Sequence, residues 1–166
     1  MRLDLNPILH RPGEKIPFRV ELDFSDVDFF GQTPASTALC LEGTVRNAAG
    51  ALTVEALLSG QLEWVCDRCG KPFAETLSLP VNTLLAEELA DEENEGEIVL
   101  IDDGRLDVEE LARTAFILGM DTKHLCREDC AGLCSRCGAD LNEGPCSCEK
   151  EGDPRLAVLR RLLDES

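Results

Sequence analysis

Residues 126–148 read CREDCAGLCSRCGADLNEGPCSC: six cysteines, with neither a strand nor a helix period among the remaining residues. A segment of this kind has no apolar face to bury, so its cohesion must come from metal. The cysteines pair as Cys126–Cys130, Cys134–Cys137 and Cys146–Cys148, and a fourth pair, Cys66–Cys69, lies upstream in CDRCGKPF. Eight paired thiols match two tetrahedral all-cysteine zinc sites. The ninth, Cys40, sits in an apolar stretch with Ala38, Leu39 and Leu41, and is expected to be a buried free thiol. The pattern points to a zinc-stapled binding or assembly protein before it points to an enzyme.

Two of the pairs are C-x-x-C-G knuckles, residues 66–70 and 134–138. Two residues between thiols let both sulfurs reach one ion, and the following glycine permits the turn that aims backbone N–H groups at sulfur. Two partitions of the ligands follow. In the first, Cys134, Cys137, Cys146 and Cys148 close a local site, and Cys66, Cys69, Cys126 and Cys130 form a long-range site. In the second, the two C-x-x-C-G knuckles share one ion as a zinc ribbon, leaving Cys126, Cys130, Cys146 and Cys148 for the other. Ligand spacing leans to the local partition and leaves the second open.

The N-terminus, MRLDLNPILHRPGE, has no apolar core of signal-peptide length, and no stretch approaches the roughly 20 apolar residues of a membrane span. A cytoplasmic location is therefore expected, where thiols stay reduced and metal is favoured over disulfides. Only three cysteines occur before residue 126, which also argues against a disulfide framework. At 166 residues and 43% hydrophobic, the chain is long enough for an ordinary core. Its aromatics are six Phe, Trp64 and no Tyr, too few for a row of rings on which unpaired bases stack.

The net charge is −17, and residues 80–112 hold twelve acids against Arg105 alone. A broad acidic surface repels phosphate backbones, and two zinc–tetrathiolate sites would add roughly −4 more. A basic protein partner suits that field better than nucleic acid. The plainer alternative is a solvated, solubilising loop. Arg68, Lys71, Lys123, Arg127 and Arg136 gather near the knuckles, where flanking bases can contact RNA. Asp67, Glu128 and Asp129 interleave with them, and charge balance around thiolates is the favoured reading.

Along the chain, Phe18–Val20–Leu22–Phe24 alternates as a strand, and residues 31–36 read as a loop. A run of strands follows from Thr37, with turns at 47–50 and at Ser59–Gly60. Leu62–Trp64–Cys66 leads into the first knuckle and 73–85 leads out, placing Cys66–Cys69 at the tip of an antiparallel hairpin. Ile98 to Ile101 is a short strand. Asp107 opens a helix with Val108, Leu111, Ala112, Ala115, Phe116 and Leu118 or Gly119 on its apolar face. Asp153–Pro154 opens a second, whose stripe of Leu156, Leu159 and Leu163 is expected to dock on the sheet. The predicted fold is α+β: an antiparallel β-sheet or partly open barrel with a few helices and a C-terminal cysteine-rich zinc-binding segment. It forms one composite domain: a β-rich region over 1–86 with the first knuckle, an acidic loop over 87–97, and a helical, cysteine-rich region over 98–166 packed on the sheet.

Enzymatic readings find little support. A C-x-x-C thiol oxidoreductase needs the dithiol at a helix N-terminus, and neither knuckle precedes a helical pattern. A catalytic zinc site keeps an open position and commonly uses histidine. Only His10 and His124 are present, and His124 reads as a surface residue more readily than as a spare ligand. No P-loop, Gly-rich nucleotide fingerprint or catalytic triad order appears, and Asp102–Asp103 is a loop pair without pocket support.

The stretch CDRCGKPF at 66–73, the acidic middle followed by residues 98–111, the run CREDCAGLCSRCGADLNEGPCSC and the closing DPRLAVL at 153–159 together resemble the YceD-type family, the bacterial large ribosomal RNA subunit accumulation proteins. The likeness covers residues 60–166 well and the N-terminal third loosely. Gly119–Met120–Asp121 departs from it, where a Leu-Pro step is expected. The resemblance implies a role in accumulation of large-subunit ribosomal RNA, hence ribosome biogenesis, and a genetic neighbourhood with a small ribosomal protein of the large subunit. No enzymatic activity attaches to the family. With the acidic surface, it suggests a factor that holds a basic ribosomal protein of the large subunit, or an assembly factor, and touches the RNA indirectly or weakly. The alternatives are a direct RNA-binding zinc-knuckle processing factor and a thiol oxidoreductase.

Overall fold

The computed structural model describes residues 1–88 and 98–148. Most of the acidic loop and the expected helix from Asp153 lie outside those residues. A five-stranded sheet holds β2 (Lys15–Leu22), β3 (Leu39–Ala48), β4 (Ala51–Val65), β5 (Pro72–Ala86) and β6 (Ile98–Leu100), in spatial order β2-β3-β4-β5-β6. The first four pair antiparallel, and the short β6 joins the end of β5 in parallel, Leu84 opposite Ile98. A second, two-stranded sheet pairs β1 (Arg2–Asp4) with β7 (Arg105–Asp107). Helix α1 (Asn6–Leu9) follows β1, and α2 (Val108–Gly119) follows β7. The sheet is open, one of the two forms expected from the strand pattern.

Alternation places one face of each strand inward. Leu39, Leu41 and Val45 of β3, Leu52, Val54, Leu58, Leu62 and Trp64 of β4, and Leu77, Val81 and Leu85 of β5 are buried. Cys40 points the other way and is half-buried on the outer face, so it is not the buried thiol its apolar neighbours suggested. Ser59 and Gly60 do not turn the chain either. β4 runs through both, and Gly60 lies so close to Leu39 that any Cβ there would overlap its side chain. The glycine serves close approach rather than a turn.

Asp107 caps α2 by accepting from the N–H groups of Glu109 and Glu110. Val108, Leu111, Ala112 and Phe116 face the core; Leu118 is 79% exposed, and Gly119 rather than Leu118 meets Leu79 on the sheet. Buried Asn47 ties the β3–β4 turn to α1: its Nδ2 donates to the carbonyls of Ile8 and Leu9 at 2.7 and 2.9 Å, and its Oδ1 accepts from Gly50 N–H at 2.8 Å. No helix among the described residues is long and apolar enough to cross a membrane.

The feature that positions the site is the length of the β4–β5 hairpin. β3 accompanies β4 only as far as Ser59, whereas β5 stays paired to β4 from Leu52↔Leu85 out to Val65↔Pro72. The distal half is a two-stranded arm. The loop after β2 lies along it: Glu63 N–H donates to Pro34 O at 2.9 Å, Val65 N–H donates to Gln32 Oε1 at 2.7 Å, and Phe29 packs edge-on to Trp64. Phe24 stacks on Phe116, and Phe29 also meets Phe116 edge-on, so rings run continuously from α2 to the arm.

Candidate metal centre

The arm ends at Cys66–Cys69. Cys66 N–H donates to Lys71 O at 2.9 Å and Gly70 N–H to Cys66 O at 2.8 Å, with Gly70 at φ +69°. The same pair of bonds recurs at the second knuckle: Cys134 N–H to Ala139 O and Gly138 N–H to Cys134 O, each 2.8 Å, with Gly138 at φ +73°. Both glycines occupy the left-handed region that a side chain strains. One backbone turn is therefore built twice, once on a hairpin and once in a chain without strands or helices.

The structure gathers the eight cysteines into two groups, Cys66 with Cys69, Cys126 and Cys130, and Cys134 with Cys137, Cys146 and Cys148, the sulfurs of each group all within 4.8 Å of one another. That is the local partition; the two knuckles do not share a site. In the hairpin group, Cys66 Sγ lies 3.8 Å from Cys130 Sγ and Cys69 Sγ 3.7 Å from Cys126 Sγ. A tetrahedron with metal–sulfur bonds of about 2.3 Å has sulfur–sulfur edges of about 3.8 Å. The spacing and the all-thiolate donor set fit zinc, which when bound supplies a structural cross-link.

Burial distinguishes the groups. Cys66, Cys69 and Cys130 are buried and backed by Phe73 and Leu125, with Cys126 exposed. In the local group Cys134, Cys146 and Cys148 are half-buried and Cys137 is exposed. His124 joins neither group. Its ring lies flat on Trp64, 3.4 Å between centroids, while its backbone pairs with Asp67: His124 N–H donates to Asp67 Oδ2 at 2.6 Å and Asp67 N–H to His124 O at 2.9 Å. It packs the approach to Cys126 instead of supplying a ligand.

The electrostatics repeat from group to group. Burial raises the Cys66 thiol, but the N–H groups of Cys126, Cys69 and Arg68 outweigh it and bring the pKa down to about 6. The N–H groups of Cys137 and Arg136 bring Cys134 down to about 6 as well. One thiol of the pair completing each group goes the other way. Burial and then the neighbouring sulfurs push Cys126 up to about 12, and Cys137 followed by burial pushes Cys148 up to about 12. In each group the first cysteine of the knuckle is brought down and one thiol of the pair that completes the group is pushed up, because thiolates this close repel one another. A divalent ion held by the four sulfurs would remove that conflict and favour the thiolate form of every ligand.

Three of the basic residues around the knuckles, Arg68, Lys71 and Arg127, are engaged in holding these loops. Arg68 Nη1 donates to Cys130 O at 2.7 Å and to Glu128 O at 3.3 Å. Arg127 reaches Asn142 Oδ1 at 2.7 Å and Asp129 at 3.3 Å. Lys71 Nζ meets Asp140 at 2.6 Å and Glu143 at 2.9 Å. These contacts raise the Lys71 pKa, Asp140 contributing most, and lower Asp140 to about 2. Asp140, Asn142 and Glu143 were not singled out in the sequence; the available signal was an Asp-x-Asn pair inside the eight residues separating Cys137 from Cys146.

An uncharacterized protein of Mycobacterium tuberculosis is 25% identical over 177 aligned positions, which cover 98% of this chain and 81% of the relative. One from Mycobacterium bovis aligns with the same identity and coverage. One from Mycobacterium leprae is 26% identical over 172 positions, 96% of this chain and 76% of the relative. No solved structure matches. A family model described as the large ribosomal RNA subunit accumulation protein YceD matches residues 54–163, from inside β4 through both knuckles and the cysteine run. The chain thus belongs to the YceD family, which is not a known enzyme family and whose membership implies a role in accumulation of large-subunit ribosomal RNA.

Proposed function

We propose that this chain is a non-enzymatic ribosome-biogenesis factor that holds a basic ribosomal protein of the large subunit, or a basic assembly partner, on its acidic surface, and thereby supports accumulation of large-subunit ribosomal RNA in the cytoplasm. Two zinc ions, one in each four-cysteine group, keep the knuckle end in shape. The observation that carries the reading is how the charges are used. Arg68, Lys71 and Arg127 are engaged in holding the loops, which weighs against a basic knuckle face for RNA. The acids around the second sheet and the end of β5 remain exposed: Glu87, Glu88, Asp102, Asp103 and Glu110. Within a net charge of −17, they make a field that attracts cations and repels phosphate.

The test is association kinetics. Neutralising Glu87, Glu88, Asp91, Glu92 and Glu93 should slow binding of a basic large-subunit ribosomal protein by on the order of tenfold at low salt and flatten its salt dependence. Metal content should stay the same, and large-subunit RNA should accumulate poorly in cells carrying the variant. Tight, salt-steep binding of large-subunit RNA by the metal-loaded protein, with no effect of the neutralised acids, would favour the direct RNA-binding alternative instead.

A further inference from the structure

Three residues between Cys137 and Cys146 turn away from their own site and grip the other. Asn142 Nδ2 donates to Cys130 Sγ at 3.5 Å. Its Oδ1 accepts from Ala131 N–H and from Arg127 Nη2, both at 2.7 Å, so the amide spans the backbone next to Cys130. Asp140 Oδ1 accepts from Asn142 N–H at 2.9 Å and from Nδ2 at 2.6 Å, which fixes the amide with its second Nδ2 hydrogen facing sulfur. The other Asp140 oxygen meets Lys71 Nζ at 2.6 Å, and Glu143 meets the same ammonium at 2.9 Å. Lys71 follows Gly70, and its carbonyl accepts the Cys66 N–H at 2.9 Å. Both halves of the hairpin site, the knuckle and Cys130, are therefore held from the loop that the local site closes.

An N–H aimed at a metal-bound thiolate stabilises the charge on sulfur and orients the ligand. Residues 140–143 have no helix or strand to hold them. Besides the bonds just given they have Leu141 N–H on Gly132 O at 2.9 Å and the bridge of Leu133 with Asp140, and closure of Cys134, Cys137, Cys146 and Cys148 around an ion would fix the two ends of that loop. We propose that Asn142, oriented by Asp140 and anchored through Lys71, is a positioning residue of the hairpin site, and that filling the local site raises the metal affinity of the hairpin site through it. The proposal rests on the reading that both groups hold metal. Linkage makes the effect reciprocal: filling either site favours the other by the same factor.

Cobalt(II) titration of the full chain against a competing chelator tests it, with the sulfur-to-cobalt absorption band as a second readout. Asn142→Ala should weaken cobalt at the hairpin site by roughly 10–100-fold, the range typical of lost outer-shell partners, and shift that site's band. Asn142→Asp should do at least as much, although it keeps an oxygen for Ala131 and Arg127, because it cannot donate to sulfur. A residue that only props the loop would change affinity without moving the hairpin site's sulfur-to-cobalt band. Emptying the local site with Cys134→Ser and Cys137→Ser should weaken the hairpin site comparably, and adding Asn142→Ala should then cost little more. Cys66→Ser with Cys69→Ser should weaken the local site by that same factor. If the serine variants fail to fold, the Asn142 pair still decides, since it retains every thiol. Two cobalt ions bound with unchanged affinity and band in Asn142→Asp would overturn the coupling. Fewer than two ions in the unmutated chain would overturn the two-metal reading itself, and the coupling with it.

Discussion

The two cysteine groups use one backbone turn and opposite means of support. The hairpin knuckle is carried by paired strands, backed by Phe73 and Leu125, and completed by thiols about sixty residues away in sequence. The local knuckle is completed within the same loop, with its cysteines half-buried or exposed, and its segment has no strand or helix but is held by the bridge of Leu133 with Asp140 and by single bonds to the hairpin site. Where a hydrophobic core already brings ligands near, a bound metal would fasten two parts of a formed fold. Where no core exists, it would take the place of one.

The largest break in that comparison should come from chelation. Removing metal should abolish hydrogen-exchange protection across residues 134–148 while strands β2 to β5 keep theirs, because their buried residues do not depend on an ion. Equal loss in both regions would mean that the sheet also relies on metal. Single ligands should divide the same way. Cys66→Ser and Cys137→Ser should each lose one ion, but only Cys66→Ser leaves buried polar groups against the core. It should cost about 3 kcal/mol, or roughly 6–12 °C in Tm for a chain of this size, whereas Cys137→Ser should move Tm by about 2 °C at most.

Acid should act on both sites alike. Cys66 and Cys134 have pKa values brought down to about 6 from an ordinary value near 9. Their ionisation therefore favours the folded knuckles fully above the unfolded value and is lost as pH falls through the folded one. Metal content followed by absorption should hold at pH 7 and fall steeply below about 6, at both sites together; release at widely separated pH values would show that the repeated turn does not give matched thiols. The smallest effect is on the glycines. Gly70→Ala and Gly138→Ala meet no atoms within 4 Å, so each should cost only the left-handed backbone, about 1 kcal/mol. At Gly70 that should appear as lower Tm, and at Gly138 as weaker metal binding.

The strands, the α2 cap and the pairing of the cysteines were legible because period and ligand spacing are local signals. What was hidden depends on contacts between distant residues. Gly60 reads as a turn until Leu39 is seen against it, and Cys40 reads as core because its neighbours are apolar, although alternation sends its side chain outward. The parallel attachment of β6 across the acidic loop and the long-range pairing of β1 with β7 leave no local mark. The partition of the thiols stayed open for a similar reason: spacing says which cysteines can share an ion, and only the docking of residues 124–130 on the arm brings one set of four sulfurs together. Asn142 looked like an ordinary loop residue because its role lies in the other site.

Trp64 is the chain's single tryptophan, and it lies flat against His124, two residues before Cys126. Its emission is therefore a built-in optical gauge of the hairpin site. The stacked imidazole helps keep water from the buried indole, and His124 lies on the segment that leads to Cys126. Loss of that site alone should shift the emission to longer wavelength as water reaches the ring. Events confined to the local site should leave it unchanged, so one cuvette measurement, with no added dye, distinguishes which of the two clasps has opened.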